Sequence, residues 1–418
     1  MRVWRCVYVG AVLLALVIGI GLWNPLGQAT ARSSQVPRFI VDPFFPKPLP
    51  MDPLSGKPWV TGEVGGTCID SNDHVITVNR GFQNGLVAPE TVIAVPSPPV
   101  VEYDGRGNVV NAWPTDPAMQ ALLPNSIHGC FVDLQDNVYI AGNGDGIVQK
   151  WTHDGSAMLL QIGTKGTCDR PGGPGACGNV PQIGDSTTLL NQPADIAVDP
   201  TNGDIYIADG YGNHRIVVFN AAGTFLRRWG GVGPAPGQFA AGDGGHPHCV
   251  VISGEDLVYT CDRGQDRIQV FDKHPNNPPG CSLAGSTTSC LPVRIIPVIP
   301  GTAALGTAGS AWDVDFSSDR REQYMFEVDG GNEVLWIMNH TFGTFIGGFG
   351  GPGHQAGNFT FLHTVSADSK GNLYTGETVG GRRVQKFIRK GFVPDNKLEV
   401  FNPAAGLGPT VLHYDPVQ

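Results

Sequence analysis

Short stretches of alternating apolar and polar residues recur along most of the chain. From Pro193 the sequence reads PADIAVDPTNGDIYIADGYGNHRIVVFNAAGTFLRRWG, and from Pro247 it reads PHCVVISGEDLVYTCDRGQDRIQVFDKHP. Both copies contain an apolar strand, a polar turn, a second strand that ends near Asp, a polar loop and then Arg-Ile-x-Val-Phe. Alternation over a few residues, bounded by Asp, Asn and Gly turns, predicts short β-strands.

The same outline begins at His128, Trp312 and His363, and a weaker copy begins at Gly65, which makes six units. A unit of about forty residues with four strands cannot bury both of its faces alone, whereas radial packing of such units buries them. The pattern therefore predicts an all-β, six-bladed β-propeller. Seven blades or an open β-solenoid are the alternatives, although a solenoid usually keeps a shorter and stricter period. We expect residues 39–64 to supply an outer strand that closes the ring.

The first residues have the pattern of an export signal. Arg2 and Arg5 precede an apolar run from Val7 to Trp23, and small residues follow at Ala29-Thr30-Ala31. Cleaved, such a leader releases the chain, and uncleaved it forms an apolar membrane-anchoring helix. We expect residues 1–31 to be this signal or anchor and residues 36–418 to be the propeller. In either case the body is exported, as a secreted, periplasmic or membrane-tethered protein.

The cysteines agree with export. Cys6 lies in the leader, and eight others lie in the body. Cysteines that flank short polar loops are natural disulfide partners in an oxidising compartment. The loop spacing favours the pairs Cys168–Cys177 and Cys281–Cys290. Cys249 and Cys261 lie on predicted neighbouring strands and could pair, which leaves Cys68 and Cys130 as a further pair or as buried free thiols.

Composition narrows the possible partners. The formal net charge is -10, and no basic run stands out, so a nucleic-acid partner is not expected. Gly and Pro are abundant, at 58 and 34 residues, and they are spread along the chain as turn-rich β-structure requires.

One position of the repeat carries the candidate chemistry. We align the units on the Asp or Ser that closes the first strand, and call the position five residues earlier the slot position. It holds Gly65, His128, Ala194, His248, Trp312 and His363. Histidine thus occupies alternate blades, and a first strand that lines the channel would bring the three imidazoles together on the axis. Three such nitrogens with an open fourth position suit Zn²⁺ or a similar divalent metal, although imidazole alone does not select zinc over iron, copper or nickel. The alternative is three channel-lining histidines that bond to water or backbone.

Three further residues are expected at the same mouth, because the end of a second strand lies beside the start of the antiparallel first strand. They follow the second strands of the first, third and fourth units: Arg80, Tyr211 and Arg263. A tyrosine beside a cation can serve as a phenolate base, and arginine offers a planar fork for a carboxylate. The alternative for each is a solvated loop residue. His214 and His246 lie nearby in sequence but do not occupy the slot position.

The repeats resemble NHL repeats, and the body resembles the peptidylglycine α-amidating lyase family. The segments SIHGCFVD, HPHCVVIS and FLHTVSAD are similar to the three zinc-ligand strands of that family, DGYGNHRI to its tyrosine segment, and VNRG and CDRGQDRIQ to its arginine segments. The resemblance implies that His128, His248 and His363 bind zinc, that Tyr211 is the catalytic base and that Arg80 and Arg263 orient a substrate carboxylate.

The resemblance also implies an activity, which is cleavage of the C–N bond of a peptidyl-α-hydroxyglycine to a peptide amide and glyoxylate. The partner expected from it is a small molecule or peptide with a carboxylate. One position departs from the family pattern: Thr364 stands where the family has an aspartate that serves a structural calcium, so Ca²⁺ is doubtful here. Two other functions stay open, a non-catalytic NHL binding module at the cell envelope and a lactonase-type propeller hydrolase.

Overall fold

Six four-stranded antiparallel sheets contain most of the residues that the structure describes. The computed structural model describes residues 35–273, 290–298 and 309–394, with the exception of residues 88 and 243. In this part of the chain each sheet corresponds to one of the six sequence units. The predicted all-β, six-bladed β-propeller is confirmed.

The blades follow one another along the chain, and within blades 1 to 5 the strand order follows the sequence. Blade 1 consists of β3 (Val64–Ile69), β4 (Val75–Asn79), β6 (Val100–Tyr103) and β7 (Val109–Trp113). Blade 2 consists of β8 (Ile127–Val132), β9 (Val138–Gly142), β10 (Ile147–Trp151) and β11 (Met158–Gly163). Blade 3 consists of β12 (Asp195–Val198), β13 (Ile205–Asp209), β14 (Arg215–Phe219) and β15 (Phe225–Gly230).

The second half of the ring has the same plan. Blade 4 consists of β16 (Val250–Ile252), β17 (Leu257–Asp262), β18 (Arg267–Asp272) and β19 (Arg294–Pro297). Blade 5 consists of β20 (Asp313–Phe316), β21 (Tyr324–Asp329), β22 (Val334–Asn339) and β23 (Thr344–Gly350). Blade 6 consists of β24 (Leu362–Ala367), β25 (Leu373–Glu377), β26 (Arg383–Pro394) and, as its outermost strand, β1 (Gln35–Val41).

Strand β1 closes the ring by pairing antiparallel with β26, from Gln35 opposite Pro394 to Val41 opposite Phe387. A closing strand from the N-terminal part of the body was expected within residues 39–64, but the strand begins earlier and ends at Val41. The rest of that segment contributes the short β2 (Trp59–Val60), which pairs in parallel with β5 (Val95–Pro96). The apolar run of β1 is short, and its sequence does not repeat the pattern of the other outer strands.

Hydrophobic side chains fill the spaces between neighbouring blades. Six buried clusters are present among the described residues, and each joins two blades that are adjacent in the ring. At the junction of blades 6 and 1, for example, Phe45 packs against Tyr103 and Tyr374, with ring centroids 5.9 and 5.4 Å apart. Burial of apolar surface between blades therefore holds the ring together and fixes the channel that the first strands line.

Disulfides join three of the expected pairs. Cys168–Cys177 is bonded as its loop spacing predicted, Cys249–Cys261 as its position on neighbouring strands predicted, and Cys68 is bonded to Cys130. The last bond resolves the alternative of free thiols, and it links β3 of blade 1 to β8 of blade 2. The expected Cys281–Cys290 pair involves Cys281, which lies outside the described residues.

Helical structure is sparse in the described ranges. They contain α1 (Gly81–Asn84), α2 (Glu90–Ile93), α3 (Pro117–Gln120) and one 3₁₀ turn at Arg263–Gln265. Over these ranges no helix has the length and apolar character needed to cross a membrane. The predicted leader at residues 1–31 lies outside them.

Candidate metal centre

The structure brings the three slot-position histidines together at one mouth of the channel. The ring centroids of His128, His248 and His363 are 4.8 Å (His128 to His248), 4.5 Å (His128 to His363) and 5.0 Å (His248 to His363) apart. Each histidine offers one ring nitrogen to a set in which all three atoms lie within 4.8 Å of one another. All three side chains are buried. The triad can thus present three imidazole nitrogens to a common point.

Local backbone irregularities aim these side chains at the axis. The pairing of β8 with β9 skips His128, and the pairing of β24 with β25 skips His363, so both residues lie in β-bulges. His248 precedes β16 and is held by its backbone N–H, which donates to the Cys261 carbonyl at 2.8 Å. A bulge rotates one side chain out of the regular alternation of a strand.

Carbonyl groups of the following blades orient the imidazoles. The Nδ1 of His128 donates to the carbonyl of Ala194 at 2.8 Å, and the Nδ1 of His248 donates to that of Trp312 at 2.6 Å. Both acceptors occupy the slot position of an odd blade. Since a carbonyl only accepts, Nδ1 carries the proton and Nε2 keeps its lone pair. The backbone of Gly65, in the slot position of blade 1, partly offsets the lowering of the pKa of His363 by burial. Nδ1 of His363 nevertheless forms no hydrogen bond within the described residues.

Burial keeps the triad neutral. The pKa of each of these histidines lies well below the ordinary value of 6.5, chiefly because burial disfavours the imidazolium. The neighbouring histidines and the guanidinium groups of Arg80 and Arg263 lower the pKa values further. Neutral imidazole is the form that binds a metal.

The triad fits a divalent metal in one further respect. The Nε2 of His248 is buried and has no hydrogen-bond partner among the described residues. A buried polar atom without a partner is costly, and a cation would satisfy it. Hydrogen bonding of the opposite ring nitrogen to a carbonyl is also the usual support of a metal-bound histidine.

Tyr211 lies next to this group. It follows the end of β13, and its hydroxyl is 3.1 Å from the Nε2 of His128. The ring contacts that of His248 with centroids 5.8 Å apart. The phenol oxygen is therefore adjacent to the atoms that would hold a metal, where it can exchange a proton with a bound ligand.

Arg80 reaches the same mouth from the end of β4. Its Nε donates to the Ile127 carbonyl at 2.7 Å, and its Nη1 is 3.1 Å from Glu63 Oε2. Its Nη2 is buried without a hydrogen-bond partner in the described part of the chain. The guanidinium is thus fixed on one edge while one nitrogen remains available for an anionic ligand.

Arg263 approaches from the end of β17 and stacks on an aromatic ring. Its guanidinium carbon lies 4.4 Å from the ring centroid of Trp312 and 5.9 Å from that of Tyr211. Trp312 in turn contacts the rings of His248 and His363, at 5.5 and 5.7 Å. Sequence reasoning gave Trp312 no role, although the residue already stood in the slot position of blade 5.

His246 and His214 lie beside the site and outside the triad. Their rings are stacked with centroids 6.3 Å apart, and the backbone N–H of Gly264 donates to Nδ1 of His246 at 3.0 Å. Burial, with the charge of Arg263 as the next cause, lowers the pKa of His246 to about 3. His246 is therefore a neutral neighbour of Arg263.

The chain passes very close to the site at Gly245. A Cβ atom there would lie 2.8 Å from Cδ2 of His248 and 2.8 Å from Cε2 of Tyr211, and the residue has a φ of +72°. Glycine is required on both counts, because it has no side chain and adopts positive φ without strain. The backbone at Gly245 therefore packs directly against the imidazole of His248 and the phenol ring of Tyr211.

Below the triad the channel continues as a cavity of about 220 Å³. Asp195, Asp313 and Asp315 are among its lining residues, and burial raises the pKa of each of them. Thr364 also lines it and donates from Oγ1 to Asp313 at 2.8 Å. The Thr364 hydroxyl thus bonds to the carboxyl group of Asp313, which sequence reasoning missed because the slot alignment does not include that residue.

Comparison with known proteins identifies the repeat and a set of relatives. The NHL repeat family model matches residues 190–219. The peptidylglycine alpha-amidating monooxygenase of Rattus norvegicus is 37% identical over 234 residues, which cover 50% of this chain and 20% of the rat protein. The chain therefore spans about a fifth of the length of that relative.

Two further relatives are named as lyases. The peptidyl-alpha-hydroxyglycine alpha-amidating lyase 2 of Drosophila melanogaster is 33% identical over 142 residues, 34% of this chain and 30% of the fly protein. A probable peptidyl-alpha-hydroxyglycine alpha-amidating lyase of Caenorhabditis elegans is 26% identical over 285 residues, 65% of this chain and 68% of the worm protein.

Proposed function

We propose that this NHL-repeat six-bladed propeller, which resembles the peptidyl-α-hydroxyglycine α-amidating lyases, is itself a metal-dependent carbon–nitrogen lyase. Its substrate would be a peptidyl-α-hydroxyglycine or a close analogue, and its products an amide and glyoxylate. The observation that carries the proposal is the convergence of three imidazole nitrogens within 4.8 Å, with the Tyr211 hydroxyl 3.1 Å from one of them.

His128, His248 and His363 would hold the metal, and zinc is one of the divalent ions that three neutral nitrogens with an open position suit. A bound divalent ion supplies Lewis-acid polarisation of a hydroxyl or carboxylate oxygen. The protein's own contribution is to keep the imidazoles neutral by burial and to fix their tautomers through the Ala194 and Trp312 carbonyls.

The phenol oxygen of Tyr211 would act as the general base and accept the proton of the carbinol hydroxyl. The electron pair of that O–H bond then forms the aldehyde carbonyl of glyoxylate, and the pair of the C–N bond passes to the amide nitrogen. That nitrogen takes a proton, which Tyr211 can return, so that atoms and charge balance. General acid–base catalysis requires the group to be within hydrogen-bond reach of both atoms.

Arg80 and Arg263 would bind the substrate carboxylate. Arg80 offers its buried Nη2, while Glu63 and the Ile127 carbonyl hold the rest of its guanidinium. Arg263 is held flat against Trp312. Two fixed cations in a site shielded from water bind a carboxylate strongly and orient the C–N bond.

The test is release of glyoxylate from a synthetic α-hydroxyglycine peptide by purified protein of known metal content. We expect one metal ion at the triad and turnover in the native protein, with loss of both in His248→Ala. His354→Ala, at an exposed histidine elsewhere, is the matched control and should keep both. Metal at the triad without glyoxylate release would refute this substrate.

A protein that binds its physiological partner equally well with all three histidines replaced, and that contains no metal, would instead be a binding module. Hydrolysis of a lactone in place of glyoxylate release would support the hydrolase alternative. The structure offers no specific observation that favours either of these functions over the lyase.

We propose an exported location for the body. Three disulfides support it, since such bonds persist in oxidising compartments. Residues 1–31 would be the signal or anchor and residues 36–418 the propeller. N-terminal sequencing of the mature protein tests the boundary, and a mature chain that begins at Met1 would exclude cleavage.

A further inference from the structure

A second group of metal-type side chains lies where blades 1 and 2 meet, at the end of β3 remote from the slot position. We call it the junction cluster, and it consists of Asp70, His74, Glu102 and His153. Asp70 follows β3 directly, five residues after Gly65, so the cluster is about 16 Å along the strand from the histidine mouth. Asp70 is the Asp on which the first unit is aligned, but the proposed lyase chemistry involves none of these four residues.

The donor atoms of the junction cluster face one another. Nδ1 of His74 is 2.7 Å from Oε1 of Glu102 and 3.6 Å from Oδ2 of Asp70. Nε2 of His153 is 3.1 Å from Oε2 of Glu102 and 3.7 Å from the same Asp70 oxygen. In a tetrahedral zinc site with bonds of about 2.05 Å, neighbouring donors are about 3.3 Å apart. The observed separations bracket that value. One donor atom each from Asp70, His74 and Glu102 lies within 4.8 Å of the others, and His153 Nε2 reaches Glu102 and Asp70 from blade 2.

A backbone carbonyl determines which ring nitrogen of His153 carries the proton. Nδ1 of His153 lies 3.0 Å from the backbone carbonyl of Asp136, which can only accept, so Nδ1 carries a proton. In the neutral ring Nε2 then has a lone pair, and that lone pair points at the Glu102 carboxylate. Two acceptors at 3.1 Å repel each other unless a proton or a metal ion lies between them.

The surrounding residues hold the donors in place. Oδ1 of Asp70 accepts from the backbone N–H groups of Asn72 and His74, at 2.9 and 2.7 Å, while Oδ2 faces the cluster and accepts from Asn72 Nδ2 at 3.4 Å. The Asp136 carboxylate binds Ser71 from across the blade boundary, at 3.0 and 2.7 Å. Outer contacts of this kind are typical of built metal sites.

In the junction cluster the two carboxylates are buried and the two imidazoles are partly exposed, as a site that admits an ion from solvent requires. The side chains of Asp70 and Glu102 are 0% and 6% exposed, whereas those of His74 and His153 are 26% and 31% exposed. Two buried carboxylates need a compensating charge of two. The half-exposed imidazoles leave a path by which an ion can enter from solvent.

We propose that the junction cluster binds one divalent transition-metal ion of the zinc type, and that this ion ties blade 1 to blade 2. The donor set of two imidazoles and two carboxylates favours such an ion over Ca²⁺, which takes oxygen ligands. The ion would act where the Cys68–Cys130 bond also joins the two blades. It is separate from the triad and does not depend on the lyase activity.

The test is a titration of chelator-treated full-length protein with Zn²⁺ alone, followed by calorimetry and by the metal content after gel filtration. We expect two equivalents for the native protein, one for His153→Ala and one for His248→Ala. Glu102→Gln, which keeps the side-chain shape, should also lose one equivalent. His354→Ala is the matched control and should keep two.

In His248→Ala, which lacks the triad, zinc at about a hundredfold excess over its Kd should raise the Tm by about 3 °C. Ca²⁺ should not do so. Combination of His248→Ala with His153→Ala should abolish this shift. If His153→Ala and Glu102→Gln both bind as much zinc as the native protein, the cluster is a protonated ion-pair network and the proposal is wrong. Glyoxylate release is measured separately, so the two proposals fail independently.

Discussion

The carbonyl groups of Ala194 and Trp312 each accept a hydrogen bond from a histidine of the preceding blade. Sequence comparison of the repeats located the histidines, because a side chain at a repeated position is visible in the sequence. It could not locate these acceptors, since every residue has a carbonyl and only the packing of β12 and β20 beside the triad places them. The same holds for the stacking of Arg263 on Trp312.

Replacement of the Tyr211 hydroxyl tests the proposed proton transfer. Tyr211→Phe keeps the ring and its contact with His248, so metal content and Tm should stay near the native values. We expect kcat for glyoxylate release to fall by about 10²–10⁴, the range typical of a lost general base. Unchanged kcat would assign the proton transfer to another group.

The close approach at Gly245 gives a second test at this scale. Gly245→Ala adds a methyl group that meets His248 and Tyr211, and Gly242→Ala is the control because it also has positive φ but no atom within 4 Å. In both variants the positive φ lowers the free energy of unfolding by about 1 kcal/mol, because alanine is strained in this conformation. Only Gly245→Ala should weaken zinc binding and turnover, by about tenfold or more, as measured by titration and steady-state kinetics. Equal effects of the two would contradict the packing.

Asp315 makes stability depend on pH. Burial raises its pKa from 3.8 to about 7, so the folded chain holds a proton that the unfolded chain releases. Stability should therefore fall as pH rises from about 4 to about 7, by at most about 1.4 kcal/mol per pH unit for this group. Asp315→Asn should reduce the difference between the free energies of unfolding measured in urea at pH 5 and at pH 7. Glu255→Gln, at an exposed carboxylate, should keep the same difference between pH 5 and pH 7 as the native protein.

At the scale of elements, strand β1 closes the ring by completing blade 6. The ring of Phe39 packs against Phe326 and Phe349, with centroids 5.6 and 5.5 Å apart, and fastens β1 to the junction of blades 5 and 6. Phe39→Ala should lower the free energy of unfolding by about 2 kcal/mol. Phe44→Ala, at a residue 72% exposed, should cost less than about 0.5 kcal/mol. A small effect of Phe39→Ala would mean that closure depends on the backbone pairing.

The elements differ in how well the sequence predicts them. The strands of the six blades follow the alternation and the turn residues, and their number and order are confirmed. The closing strand was placed too late, because pairing of β1 with β26 joins segments more than three hundred residues apart and leaves no local pattern. The junction cluster was missed for a similar reason, since His153 and Asp70 come together only through the contact of two blades.

At the scale of the whole molecule, the disulfides differ in the length of chain that they enclose. Cys68–Cys130 spans 62 residues, whereas Cys168–Cys177 spans 9. From loop entropy, the double variant Cys68→Ser/Cys130→Ser should lose about 4 kcal/mol of unfolding free energy. The double variant Cys168→Ser/Cys177→Ser should lose about 2.5 kcal/mol. Guanidinium unfolding measures both. The opposite order would show that strain or residual structure outweighs chain length.

In an evolving lineage, the alternation of histidine side chains with carbonyls around the axis divides the blades into two classes. A histidine at residue 128, 248 or 363 cannot be exchanged without loss of a nitrogen donor, whereas any amino acid at residue 194 or 312 brings the same acceptor. Ala and Trp occupy those two positions here. Blades 3 and 5 can therefore change the side chain at this one position and gain contacts at the site, as Trp312 has with Arg263, without loss of the acceptor.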